Sequence, residues 1–109
     1  MDMSRGRKKL ESEIRELTKQ LRKVGPFIGE TVSVVERKCG KPACACHRGG
    51  PKHPAMFVTW KEEGKTATLY VPRRLEGEVR EWAANHRTLK DLIRRITELR
   101  KDIIRLRED

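Results

Sequence analysis

The sequence predicts an α+β fold: an N-terminal helix, a three-stranded antiparallel meander with a zinc-knuckle loop between strands one and two, and a long C-terminal helix with a coiled-coil-like seam. Apolar residues recur every three or four positions at both ends of the chain and alternate at every second position in the middle, and all 3 cysteines fall in one loop of that middle segment. The 109 residues suffice for one modest core, so residues 1–109 read as a single domain.

Leu10, Ile14, Leu17, Leu21 and Val24 form the stripe of an amphipathic helix. Ser4 is a candidate N-cap, and Gly25-Pro26 is a stop signal, with Gly25 suited to a left-handed C-terminal cap, so this helix is expected over residues 4–24. Residues 31–37 are rich in β-branched side chains. Residues 55–61 alternate Met56, Val58 and Trp60 against Phe57 and Thr59, and residues 66–71 alternate Ala67, Leu69 and Val71 against Thr68 and Tyr70. Gly64 can supply the positive φ of the intervening hairpin turn. The sheet therefore occupies residues 31–71, and its first connection is the cysteine loop, 38–54.

From Pro72 the chain turns helical over residues 73–108. Leu89, Leu92, Ile96, Leu99, Ile103 and Leu106 form a heptad seam, mostly Ile at one core position and Leu at the other, a choice that favours parallel two-stranded coiled coils. Thr88 and Asp91 match a capping box where the seam changes register, so a kink is expected near 85–88. A parallel self-dimer would set Arg95 against Arg100, which repel, and Asp102 against Arg107, which attract. Glu11, Glu13, Thr18 and Gln20 flank the first stripe and complement the basic flanks of the last helix better. The terminal helices are thus expected to pair, within one chain or in a homodimer; the plain alternative is an ordinary intramolecular core.

Cys39, Cys44, Cys46 and His53 lie within fifteen residues, in a loop containing Gly40 and Pro42 that is unsuited to a core. Such a set can close a tetrahedral structural Zn²⁺ site. His47 is a rival fourth ligand, but it directly follows Cys46, so closing the tetrahedron through it demands strain that His53 avoids. A C-x-C pair also suits copper or thiol redox sensing, and three plain buried cysteines are the structural alternative. Four protein ligands leave no open metal position for water, and the chain shows no glycine-rich phosphate loop, no nucleophile elbow and no carboxylate pair on a defined cleft. A non-catalytic protein is expected, with His86, between Trp82 and Leu89, in a packing role.

Lys and Arg number 26 against 16 Asp and Glu, a net charge of +10. A high charged fraction also accompanies heat adaptation, but ion-pair networks need near balance, so the surplus points to a polyanion. Duplex DNA contacted through phosphates is expected ahead of RNA, although Trp60 or Tyr70 could stack on unpaired bases. Candidate contacts are the arm Arg5, Arg7, Lys8 and Lys9, the loop cations Lys38, Lys41, Arg48 and Lys52, and Arg73 with Arg74, whereas the hairpin 55–72 is neutral and reads as scaffold. The rival class is a module recruiting a partner protein through its terminal helices. No run is long and apolar enough to span a bilayer, and the N-terminus lacks a signal-peptide core, so a cytoplasmic protein without membrane contact is expected. An odd cysteine count in that compartment argues against a disulfide framework.

The run Cys39-Gly40-Lys41-Pro42-x-Cys44-x-Cys46, followed by His53-Pro54 and a strand ending Tyr70-Val71-Pro72, resembles a family of small uncharacterised bacterial and archaeal proteins over roughly residues 31–106. The resemblance implies the same loop signature, a His-containing turn, a helical C-terminus and an association with mobile elements, but no activity. Where such sequences read His-Gly-Pro, this chain has His53-Pro54-Ala55.

Overall fold

The computed structural model describes residues 6–38 and 40–106, so Ser4, Arg5 and Cys39 lie outside the described residues. The elements are α1 (Arg7–Arg22), β1 (Thr31–Arg37), β2 (His53–Glu62), β3 (Lys65–Val71) and α2 (Glu76–Leu106), the α+β order expected. They fall into two compact units: a helical one, made of the chain up to Phe27 and from Ala84 onward, and a sheet unit, Ile28–Ala83.

Ile14 and Leu17 are the buried positions of α1. The helix is shorter than expected at both ends. Gly6 is its N-cap, without a side-chain cap, and the Leu10 amide donates to the Gly6 carbonyl at 3.2 Å. At the far end the amides of Lys23 and Val24 reach back only three residues, to Gln20 at 3.0 Å and Leu21 at 3.2 Å, closing the helix with a tight turn. Lys23, in a right-handed conformation, is the cap, so Gly25 does not supply the left-handed cap expected of it. What Gly25 provides is room: a Cβ there would sit 3.1 Å from Asn85 Nδ2, which donates to the Pro26 carbonyl at 2.7 Å. Replacing Asn85 by Ala leaves that carbonyl without its donor and is expected to cost about 1 kcal/mol, read as a lower urea midpoint at unchanged slope.

A 3-10 turn, Arg73–Leu75, follows Pro72 and leads into α2. Across residues 85–88, where the seam changes register, α2 runs without a break. No Gly or Pro falls between residues 78 and 106, and Asn85 spends its amide on Pro26 instead of competing for its own helix backbone. Asp91, the expected capping-box acid, pairs with Arg94 at 2.6 Å. Leu92 is buried, and Leu89, Ile96, Leu99, Ile103 and Leu106 are half-buried. Leu17 from α1 and Leu99 from α2 line one groove, with Glu13 and Glu16 on the first helix and Arg94 and Arg95 on the second. Phe27 stacks on His86, ring centroids 6.1 Å apart, which places that histidine in packing. No helix among the described residues is long and apolar enough to cross a membrane.

The sheet has the order β1-β2-β3, antiparallel throughout. Met56 pairs with Val34 and Val71, and Val58 with Val32 and Leu69, so one face carries the apolar set. Met56, Val58 and Val71 form the core with Val79, and Ile28, Val32, Trp60, Leu75 and Trp82 pack around it. Trp60 is therefore on the core side and is not the stacking residue considered above. The β2–β3 loop is the two-residue pair Glu63-Gly64, φ 50° and 80°, the double positive φ of a type I′ turn. Strand β2 starts at His53, two residues before the expected start. Pro54 is tolerated because it pairs with Glu36 alone, β3 having ended at Val71 opposite Met56.

Candidate metal centre

The sheet register places the first ligand. His53 is the opening residue of β2, opposite Arg37, the last residue of β1, so its backbone is fixed by the final rung of that pair. The loop between these residues returns to it through two tight turns. The Cys44 amide donates to the Lys41 carbonyl at 3.0 Å across Pro42-Ala43, with proline at its favoured second position, and the His47 amide donates to the Cys44 carbonyl at 3.0 Å, opening the 3-10 turn Ala45–Arg48. Gly49 ends that turn in the left-handed region, φ 84°. Gly50 then passes so close that a Cβ would lie 2.6 Å from the Ala45 carbonyl oxygen, and its amide donates to that oxygen at 2.8 Å. Only glycine fits there.

These turns gather Cys44, Cys46 and His53, with one ligand atom from each, all within 4.8 Å of one another. Cys44 Sγ lies 3.2 Å from His53 Nε2. Two ligands of a tetrahedral zinc, at about 2.3 Å for sulfur and 2.0–2.1 Å for nitrogen, stand about 3.5 Å apart, so the trio is close enough to hold a metal ion through Nε2. Cys46 is 2% exposed and Cys44 half-buried. Rival His47 is exposed and outside the trio. Cys39, the remaining thiol, lies outside the described residues.

The expected basic contacts are divided between the helical unit and the sheet unit, and Arg5 lies outside the described residues. Lys8 and Lys9 are exposed on α1, where Arg7 bonds Glu11 at 2.8 Å and that bond holds the Glu11 carboxyl below its ordinary range. Lys41, Arg48, Lys52 and Arg74 are exposed in the sheet unit. Lys38 and Arg73 line a cleft against His53, together with Arg37 and Tyr70. Arg37 was not singled out from the sequence, although the period of β1 puts it on the same face as His53. Phe57 was also missed as a surface residue; its alternation with Met56 and Val58 carried the signal.

A family model matches residues 7–81. The chain belongs to that family, a domain of unknown function, DUF6788. The DUF6788 match takes in α1, the whole sheet and the trio, and it stops before the seam that begins at Leu89. It thus reaches further toward the N-terminus, and less far along the last helix, than the resemblance carried by the loop signature. No curated protein and no solved structure matches the chain.

Proposed function

We propose that this chain is a small, basic, zinc-stabilised cytoplasmic protein that binds nucleic acid through phosphate contacts and does no catalysis. Cys39 completes the ligand set with Cys44, Cys46 and His53, and the ion holds the loop instead of activating water. The observation that carries the reading is the cleft beside His53, where Arg37, Lys38 and Arg73 converge and no carboxylate is among the described lining residues. The exposed ion pairs of the helices, such as Arg94 with Asp91 and Arg105 with Asp102, are local i,i+3 pairs worth a few tenths of a kcal/mol, and they leave the +10 surplus in place. A DNA partner also suits the mobile-element association of the loop signature.

Phosphate binding of this kind depends steeply on salt, with a log-log slope of about −0.9 per phosphate neutralised on duplex and about −0.7 on a single strand. Reversing Lys38 and Arg73 to Glu is expected to weaken binding across sequences and to flatten that slope by about 2. Salt-independent binding, or no binding to any nucleic acid at low salt, overturns the reading.

A second reading, a homodimer or partner-protein module, draws on Ile93 and Ile104, 49% and 74% exposed and about three turns apart on one stripe of α2. Under it Ile104→Asp lowers the native mass or releases the partner, while Lys38 and Arg73 variants change nothing.

A further inference from the structure

The sheet has a second face, opposite the Met56 core. It carries Phe57 on β2 beside its register partner Tyr70 on β3, ring centroids 5.7 Å apart at 66°. The Arg37 guanidinium lies 5.4 Å from the Phe57 centroid. Tyr70 is 55% exposed and Val35, on the same face, 48%. The core takes its aromatic residues, Trp60 and Trp82, on the other side, so this pair is not filling the interior.

We infer that this outer face is a stacking platform for unpaired bases, which makes the nucleic acid held by the basic cleft a single strand and not the duplex DNA that charge alone favours. The inference rests on the phosphate-binding reading above and names its substrate class. Charge complementarity selects the occupant. Period two puts Arg37, His53 and Lys61 on this face and Glu36 and Glu62 on the other, so no strand position of the outer face carries a carboxylate. An acid-free surface with two rings suits a polyanion that also presents flat apolar faces. A duplex hides those faces in its own stack, whereas a single strand exposes them, and each aromatic ring or guanidinium plane can receive one base. The cleft adjoins the platform directly, because Tyr70 lines it together with Arg37, Lys38 and Arg73. At the other end Lys61 Nζ donates to Thr66 Oγ1 at 2.9 Å, holding an exposed ammonium at the far edge. A strand laid across the face would meet cations at both ends and rings between them.

The test is fluorescence anisotropy on the full, zinc-loaded chain, with oligothymidine and oligouridine of about 12 nucleotides, a strand of the same length with abasic sites throughout, and a mixed-sequence duplex. Oligothymidine or oligouridine is expected to bind about tenfold more tightly than the abasic strand and more tightly than the duplex. Tyr70→Ala should remove about tenfold of single-strand affinity, a larger factor than it removes from the abasic strand or the duplex, and Tyr70→Phe should restore it. Phe57→Leu, which keeps an apolar side chain on the half-buried position, is expected to lose a similar factor. Equal affinity for the oligothymidine and abasic strands, or a duplex preference untouched by Tyr70→Ala, overturns the platform and leaves phosphate binding standing. No binding to any of the four probes overturns both.

Discussion

Protein purified without added metal is expected to carry one zinc per chain, and Cys46→Ala to carry none. Cys46 is almost fully buried and offers its thiol within 4.8 Å of the ligand atoms of Cys44 and His53, so an ion held by the trio should be lost with that thiol. Structural zinc contributes about 10–16 kcal/mol in finger peptides, whose whole fold depends on it. Here the Met56 core forms without any metal ligand except through the shared strand β2, so the loss should be confined. Chelation is expected to remove amide protection from residues 38–52 and from the Arg37–His53 end of the sheet, while the amides around Val58 stay protected. His53→Ala should weaken zinc binding by orders of magnitude, and His47→Ala should leave one zinc per chain. Full zinc content in Cys46→Ala, measured by elemental analysis, would refute the site.

Met56→Ala is expected to destabilise the sheet unit by about 2–5 kcal/mol, a large share of the roughly 5–15 kcal/mol typical of a whole domain. Met56 is 1% exposed and packs with Val58, Val71 and Val79, so its truncation leaves a cavity in a core of few side chains. Met56→Leu, which keeps the volume, should cost less than about 1.5 kcal/mol. Urea midpoints for the two variants decide the matter: a loss below about 1 kcal/mol for alanine would mean that the sheet does not depend on this contact.

The elements that were readable from sequence are those whose evidence is periodic. Strand β1 matched its expected bounds because β-branched residues, Thr31, Val32, Val34 and Val35, dominate it, and Gly64 marked its turn because only a positive φ closes so short a loop. The trio was readable because cysteine and histidine are scarce in this chain and crowded into one loop, and His53 was separable from His47 by strain alone. The features that escaped depend on contacts between distant positions. The kink over residues 85–88 was read from the local capping-box match of Thr88 and Asp91, a signal that carries nothing of the contact Asn85 makes with a carbonyl 59 residues away, and the helix continues unbroken there. Gly25 looked like a cap for the same local reason, when its small size makes room for that same Asn85. Arg37 and Phe57 could have been found by applying the period-two rule to the outer face as well as to the core.

His53 belongs at once to a strand and to the trio close enough to hold a metal, so an ion bound there would report on the sheet. Any change that lets the Arg37–His53 rung fray reduces the fraction of chains in which His53 is held in place, and the apparent metal affinity falls by that fraction. The dependence is reciprocal, so metal should raise the free energy needed to open that rung by as much as the intact rung tightens the metal. A substitution deep in the core, with no atom near the cysteines, would then be detectable by titrating zinc. The cell's supply of the metal would in turn set how long the two strands stay joined.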